Sequence, residues 1–264
     1  MALDLQKISA LPISFDLKNL KLEFQGDFPF IKKSERSLDE LRPYLKNLSL
    51  REISRRETKA KKGPDPVYRV WRHAYLKQDS EKIKAANLRY DLTLILPGTI
   101  DGEFVKTAGH YHKSFPEVFE VILGRAYFLI QSFDNNPKNI KSVFLTETGP
   151  GEKLLIPMGY GHNMINVFNE PLLTANWVSD KAVYDYESYK NNRGASYYFL
   201  DNSNLIDIVK NPNYDSVPEI KKIRIKERPE FGLIKDRPLY SLVNNLEKLR
   251  FLNYPEEFEN VLGW

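Results

Sequence analysis

From Pro66 onward the apolar residues of this chain fall in short runs of β-branched and aromatic side chains, among them PVYRVWRHAYL, LRYDLTLILPG, EFVKTAGHYH, EVFEVILG, RAYFLIQSF, KSVFLTE, EKLLIPMG, HNMINVF and PLLTANWV. Gly, Pro, Asn or Asp separates most of them. Strand-length runs at close spacing, with such turn residues between them, predict an antiparallel sandwich or barrel over about residues 66–180. Two later runs, ASYYFL and NLIDIVK, extend a sheet.

Both ends carry a different period. In SERSLDELRPYLKNL, Ser37 stands three residues before Glu40, the spacing of a capping box, and Leu38, Leu41, Leu45 and Leu48 recur at near-helical intervals. Pro43 kinks or restarts that helix. Near the other end, Leu239, Leu242, Val243, Leu246 and Leu249 predict an amphipathic helix that packs on the barrel or on a partner chain. Its other face is not strongly basic, which argues against a membrane surface. The expected organisation is an N-terminal extension with a short helix (1–65), a barrel with flanking strands (66–214) and a C-terminal helical extension (215–264).

Composition narrows the chemistry. The 264 residues are 42% hydrophobic and 28% charged, enough to bury a substantial core. With no cysteine, any metal must be held by His, Asp or Glu. A net charge of +4, spread over 39 basic and 35 acidic side chains, is a weak footprint for nucleic acid and compatible with anionic small molecules. The most basic run, REISRRETKAKK, contains Glu52 and Glu57, lacks aromatics and precedes Gly63-Pro64, as a solvated linker or helix end would. The start, MALDLQKISALPISFDL, has no basic segment followed by an apolar run, and no stretch approaches the ~18 apolar residues of a membrane span. A cytoplasmic protein with no membrane partner is expected.

There are four histidines, and two of them are His110 and His112. On a helix, residues two apart diverge; on a strand they project from the same face, so both imidazoles of FVKTAGHYH should converge. Glu117 is an odd number of residues away, but Lys113 to Pro116 predict a turn, after which a new strand sets its own facing. Phe119, Val121 and Leu123 share the parity of Glu117 and are apolar, so Glu117, rather than Glu120, is the expected inward carboxylate. Replacing Glu120 should accordingly matter far less. Pro157-Met158-Gly159 marks a turn entering a strand on which His162, Met164 and Asn166 share one face. Three imidazoles and a carboxylate suit a first-row divalent metal and, in a six-coordinate site, leave two positions for water or substrate oxygens. His73 has no ligand spacing and is read as structural.

The spacing itself is informative. Gly109 opens His110-Tyr111-His112, four residues precede Glu117, and six more precede Gly124; Gly151 is followed by five residues, Pro157-Met158-Gly159, His162 and Asn166. This resembles the two signature motifs of the cupin superfamily at every ligand position. The resemblance implies an all-β fold, a cupin double-stranded β-helix or jelly-roll barrel with added N- and C-terminal helical segments, and His110, His112, Glu117 and His162 on one metal. The flanks LTLILPGTIDGEFVKTAGHYH and EVFEVILGRAYFLIQ, with RSLDELRPYL before them and NEPLLTANW, Asp185-Tyr186, Gly194 and NPNY after, are similar to the cupin-type glucose-6-phosphate isomerases typical of archaea, from about Ser34 to Tyr214.

What that resemblance implies is an aldose–ketose isomerase interconverting glucose 6-phosphate and fructose 6-phosphate. It would use one divalent transition metal (Fe, Mn, Ni or Zn) and work as a homodimer. Glu117 would be both ligand and base; Thr93, Thr107 and the Gly109 backbone would hold the sugar phosphate, with Tyr186 near the substrate. Proton transfer through an enediolate and a hydride shift both fit. Four positions depart from the family pattern: Phe119 for Tyr, Asn163 for Arg, Val178 for Tyr and Tyr184 for His. These are expected to remove polar or basic groups from the sugar site. Another metal-dependent cupin enzyme, such as a dioxygenase or an isomerase of a different sugar phosphate, and a non-catalytic sugar-phosphate sensor therefore stay open.

Overall fold

Every residue from Leu88 to Ile95 is buried, and so is every residue from Leu172 to Ser179. A strand buried on both faces needs a layer on each side, and that need organises the fold. The structure, a computed structural model, describes residues 2–29, 31–47, 53–54, 66–203 and 205–259.

The barrel strands, in chain order, are β1 (Lys32–Arg36), β2 (Tyr68–Arg72), β3 (Leu88–Ile95), β4 (His110–His112), β5 (Glu117–Leu123), β6 (Ala126–Phe133), β7 (Ile140–Thr148), β8 (Lys153–Ile156), β9 (Gly161–Ile165), β10 (Leu172–Ser179), β11 (Tyr184–Asp185) and β12 (Lys221–Lys222). They form two six-stranded sheets, ordered β8-β5-β10-β3-β2-β1 and β11-β4-β9-β6-β7-β12. Pairing is antiparallel except where β12 runs parallel to β7. Apart from β1-β2-β3 and β6-β7, the neighbouring strands are non-consecutive, the jelly-roll arrangement of a double sheet.

Alternation along β5 sorts its side chains between two cores. Phe119 and Val121 point between the sheets with Phe128, Ile130 and Met164. Val118 and Ile122 point outward with Leu92, Leu94 and Trp177. That outer face is covered by both ends of the chain: Leu11, Ile13 and Phe15 from one, Leu239, Leu249 and Phe251 from the other. Trp177 Nε1 donates to the Leu239 carbonyl at 3.0 Å, and Tyr240 stacks on Trp177 with ring centres 6.1 Å apart. The terminal segments are the missing second layer.

The ends differ from their predicted form in detail. The capping box forms, with Glu40 N–H donating to Ser37 Oγ and Ser37 N–H to Glu40 Oε2, but the α-helix stops at Leu38–Leu41 and a 3-10 turn, Arg42–Tyr44, takes up Pro43. Leu48 lies outside the described residues, as does REISRRETKAKK apart from the backbone of 53–54. The N-terminal segment also makes a three-stranded sheet (Ala2–Asp4, Ile13–Asp16, Lys21–Phe24) and supplies β1 to the barrel.

The predicted C-terminal amphipathic helix is instead a series of 3-10 turns, Leu239–Asn244, Leu246–Leu252 and Pro255–Phe258. Asn245, at φ −151° and ψ 71°, leaves helical geometry between the first two. Leu239/Leu242 and Leu246/Leu249/Leu252 are three apart, a spacing that aligns on one face at three residues per turn as well as at 3.6. The apolar face is therefore buried as its pattern requires. ASYYFL and NLIDIVK form an antiparallel hairpin, Tyr197–Asn202 with Leu205–Lys210. No helix among the described residues is long and apolar enough to cross a membrane.

Candidate metal centre and active site

His110 and His112 leave the same face of β4, and His162 stands opposite His110 in the β4–β9 register. Glu117 begins β5 in the facing sheet, directly after the Lys113–Pro116 turn. The ligand atoms of these four residues all lie within 4.8 Å of one another. His110 Nε2 is 2.9 Å from His112 Nε2, and Glu117 Oε2 is 2.9 Å from His112 Nε2 and 3.7 Å from His162 Nε2.

Glu120 points away, onto the outer face, where it pairs with Lys153 at 2.8 Å. His73 takes no part in the cluster. It sits at φ 59° with its ring edge-on to Tyr75, and its N–H donates to Asp91 Oδ1.

The donor set fits a divalent cation. Burial, with the His112 and His162 rings beside it, holds His110 well below the usual histidine range, and burial followed by His112 does the same for His162. Neutral imidazoles are metal ligands. Asn176 Nδ2 donates to Glu117 Oε1 at 2.6 Å, whereas buried Oε2 accepts no hydrogen bond of its own and is turned to the imidazoles. Asn176 is thus the outer partner that fixes the carboxylate, a role sequence spacing did not signal. Asn176→Ala is expected to lower metal affinity about 10–100-fold, as loss of such a partner typically does. Metal titration of the variant checks this, and unchanged affinity would remove Asn176 from the site.

His110, Glu117, His162 and Asn176 wall a cavity of about 400 Å³ that runs between the sheets and is also lined by Thr93, Thr107, Gly109, Phe119, Tyr184 and Tyr186, with His112 buried behind them. Thr107 Oγ1 accepts the Met164 N–H at 3.0 Å. Gly109 has φ +79°, and a Cβ there would meet the Tyr189 ring at 2.6 Å, so no other residue fits. The Tyr186 ring lies 5.2 Å from His110, and its hydroxyl is pushed up to about 12 by burial and by Tyr68. Asn166, which closes the second motif, ties backbone instead, donating to the carbonyls of Ile95 and Glu170.

The four departures from the family pattern do not act alike. Phe119 packs edge-on to His162 at 5.0 Å, and Val178 is buried opposite Glu117 in the β5–β10 register. Tyr184 packs edge-on to His110 at 4.4 Å and accepts a hydrogen bond from Arg89 Nη2 at 2.6 Å, so a polar group is retained there. Burial, then the Glu117 charge, raises its hydroxyl well above the usual tyrosine range. Asn163 corrects the expectation: it has the opposite parity to His162, does not line the cavity, and packs behind Gly109. Basic groups missed in the sequence reading line the cavity too: Lys32, Arg36, Arg72 and Arg89. For Lys32, Arg36 and Arg72 the signal was present in the odd–even alternation of KKSER and YRVWR, but it needed the strand register to be read.

Residues 43–219 match the family model described as glucose-6-phosphate isomerase. Curated relatives include the glucose-6-phosphate isomerase of Pyrococcus abyssi, 28% identical over 75% of this chain and 96% of the relative, and that of Pyrococcus furiosus, 26% identical over 74% and 95%. Thermococcus kodakarensis has a third, 28% identical over 72% and 91%. Among solved structures, oxalate oxidase in complex with glycolate overlaps 37% of this chain and 45% of its own at 17% identity and a TM-score of 0.30.

Proposed function

The chain belongs to the glucose-6-phosphate isomerase family, and from that premise we propose that it interconverts glucose 6-phosphate and fructose 6-phosphate on one divalent metal held by His110, His112, Glu117 and His162. The observation that carries the reading is the convergence of three imidazole nitrogens and one carboxylate oxygen within 4.8 Å on the wall of a cavity large enough for a small ligand. Fe, Mn, Ni and Zn all suit this donor set. Bound there, the metal would supply Lewis-acid stabilisation of the negative charge that develops on the two sugar oxygens.

The chain's own groups do the rest. Glu117 takes the proton from C2 of the aldose and returns it to C1, the hydroxyl proton of O2 passing to O1, while the Asn176 amide keeps the carboxylate in one orientation. Tyr184 accepts from Arg89 and is held neutral, leaving its own O–H to donate to a sugar oxygen. Thr93, Thr107 and the Gly109 amide offer neutral hydrogen bonds to the phosphoryl group, and Tyr186 stacks beside the sugar. Phe119 keeps one wall of the cavity apolar, and Val178 is buried beside Glu117. A homodimer in the cytoplasm completes the proposal; absence of cysteine suits a reducing compartment.

The test is turnover of fructose 6-phosphate, read as NADPH through coupled glucose-6-phosphate dehydrogenase. It is run on protein stripped of metal and reloaded with Fe(II), Mn(II), Ni(II) or Zn(II). Activity absent after stripping and restored by reloading is the expected result. A protein that binds each metal and turns over with none of them would overturn the proposal.

A further inference from the structure

β1 and β2 carry charge on both faces, and the two faces are treated differently. On the outer face, Lys33 and Arg69 both pair with Glu35, at 2.6 and 3.1 Å. On the face toward the cavity, Arg36 has Glu40 at 3.7 Å and buried Arg89 has Asp91 at 2.8 Å. Lys32 and Arg72 are left. They stand directly opposite each other in the β1–β2 register and both line the cavity, yet among the described residues neither makes an ion pair. Arg72 donates one hydrogen bond, to Ser34 Oγ at 2.9 Å, which fixes its guanidinium beside Lys32.

Like charges placed directly across a strand pair repel, and Asp91, which faces Arg72 in the β2–β3 register, is shared with Arg89, which holds it at 2.8 Å. Two cations with only a share of that carboxylate between them match a phosphate monoester, which carries about −1.5 to −2 at neutral pH. Thr93, Thr107 and the Gly109 amide offer hydrogen bonds but no charge, and Glu117, also on the cavity wall, is committed to the metal site.

We propose that Lys32 and Arg72 form the cationic end of the substrate cavity and take the phosphoryl group of the sugar phosphate, an inference that rests on the isomerase reading. Lys32 lies before the residues matched by the family model, so this half of the clamp is supplied by the chain's own N-terminal strand.

The experiment uses metal-loaded full-length protein and the variants Lys32→Ala, Arg72→Ala, Arg72→Lys and the double alanine variant, with Lys33→Ala as an outward-facing control. Two quantities are read: kcat and KM for fructose 6-phosphate, and the affinity for inorganic phosphate by calorimetry. Each alanine should raise KM about tenfold with little change in kcat, and weaken phosphate by a similar factor. Arg72→Lys should recover part of the loss, which a folding defect would not, and Lys33→Ala should change neither quantity. Wild-type turnover with KM and phosphate affinity unaltered in the double variant would overturn the clamp and leave the isomerase reading standing. A wild type that does not turn over but binds phosphate, with that binding lost in the double variant, would keep the clamp and remove the isomerase reading.

Discussion

Replacing His112 with alanine yields a folded protein that retains less than about a hundredth of its metal affinity, beyond the ~10–100-fold lost with an outer partner, and little or no isomerase turnover. The reason is position. His112 Nε2 lies 2.9 Å from both His110 Nε2 and Glu117 Oε2, so it is the ligand that joins the β4 side of the site to the β5 side. Without it, no imidazole nitrogen is left within hydrogen-bond distance of the carboxylate, that of His162 being 3.7 Å away. The imidazole is fully buried, so its loss also leaves a small cavity, at a cost of roughly 1–3 kcal/mol that a barrel of this size can bear. Metal content by elemental analysis, alongside circular dichroism, checks both halves. A folded variant with full metal occupancy would mean that the four residues are not a metal site.

Glu120→Ala gives the opposite pattern: metal binding survives and stability does not. Glu120 and Lys153 form a buried ion pair at 2.8 Å, Glu120 Oε2 accepts the Leu239 N–H at 2.9 Å, and Lys153 donates to the carbonyls of Gly151 and Lys235. The pair therefore fastens the C-terminal segment onto the outer face of the barrel. Removing one partner strands a buried ammonium and costs about 3–5 kcal/mol, which for a chain of this length corresponds to a fall in Tm of about 10 °C. Replacing both, Glu120→Leu with Lys153→Met, should recover most of that loss, since no charge is left uncompensated. Thermal melts of the single and double variants provide the measurement, and a Glu120→Ala protein as stable as the parent would deny the pair its anchoring role. The expectation that Glu120 matters far less than Glu117 applies to the chemistry and is reversed for stability.

The same contrast separates what was legible in the chain from what was not. A two-residue repeat on a strand, a turn and a parity count are properties of a few neighbouring residues. They sufficed to turn His110, His112 and Glu117 toward the space between the two sheets and to send Glu120 to the outer face. The strand runs, the capping box at Ser37 and the apolar face of the C-terminal segment were equally local, although three-residue spacing did not distinguish 3-10 turns from an α-helix.

Residues joined only by sheet register were out of reach. Asn176 reaches Glu117 because β10 pairs with β5, Arg72 meets Lys32 because β2 pairs with β1, and Asn163 turns away from the site because its neighbour His162 turns toward it. The purpose of the two ends was hidden for the same reason. That β3 and β10 are buried on both sides is decided by which distant segments cover them, and no short-range pattern encodes that choice. The chain alone determined the barrel strands, their facings and the convergence of the four candidate ligands; the tertiary structure decided which charges are compensated, because compensation depends on neighbours brought together from opposite ends of the sequence.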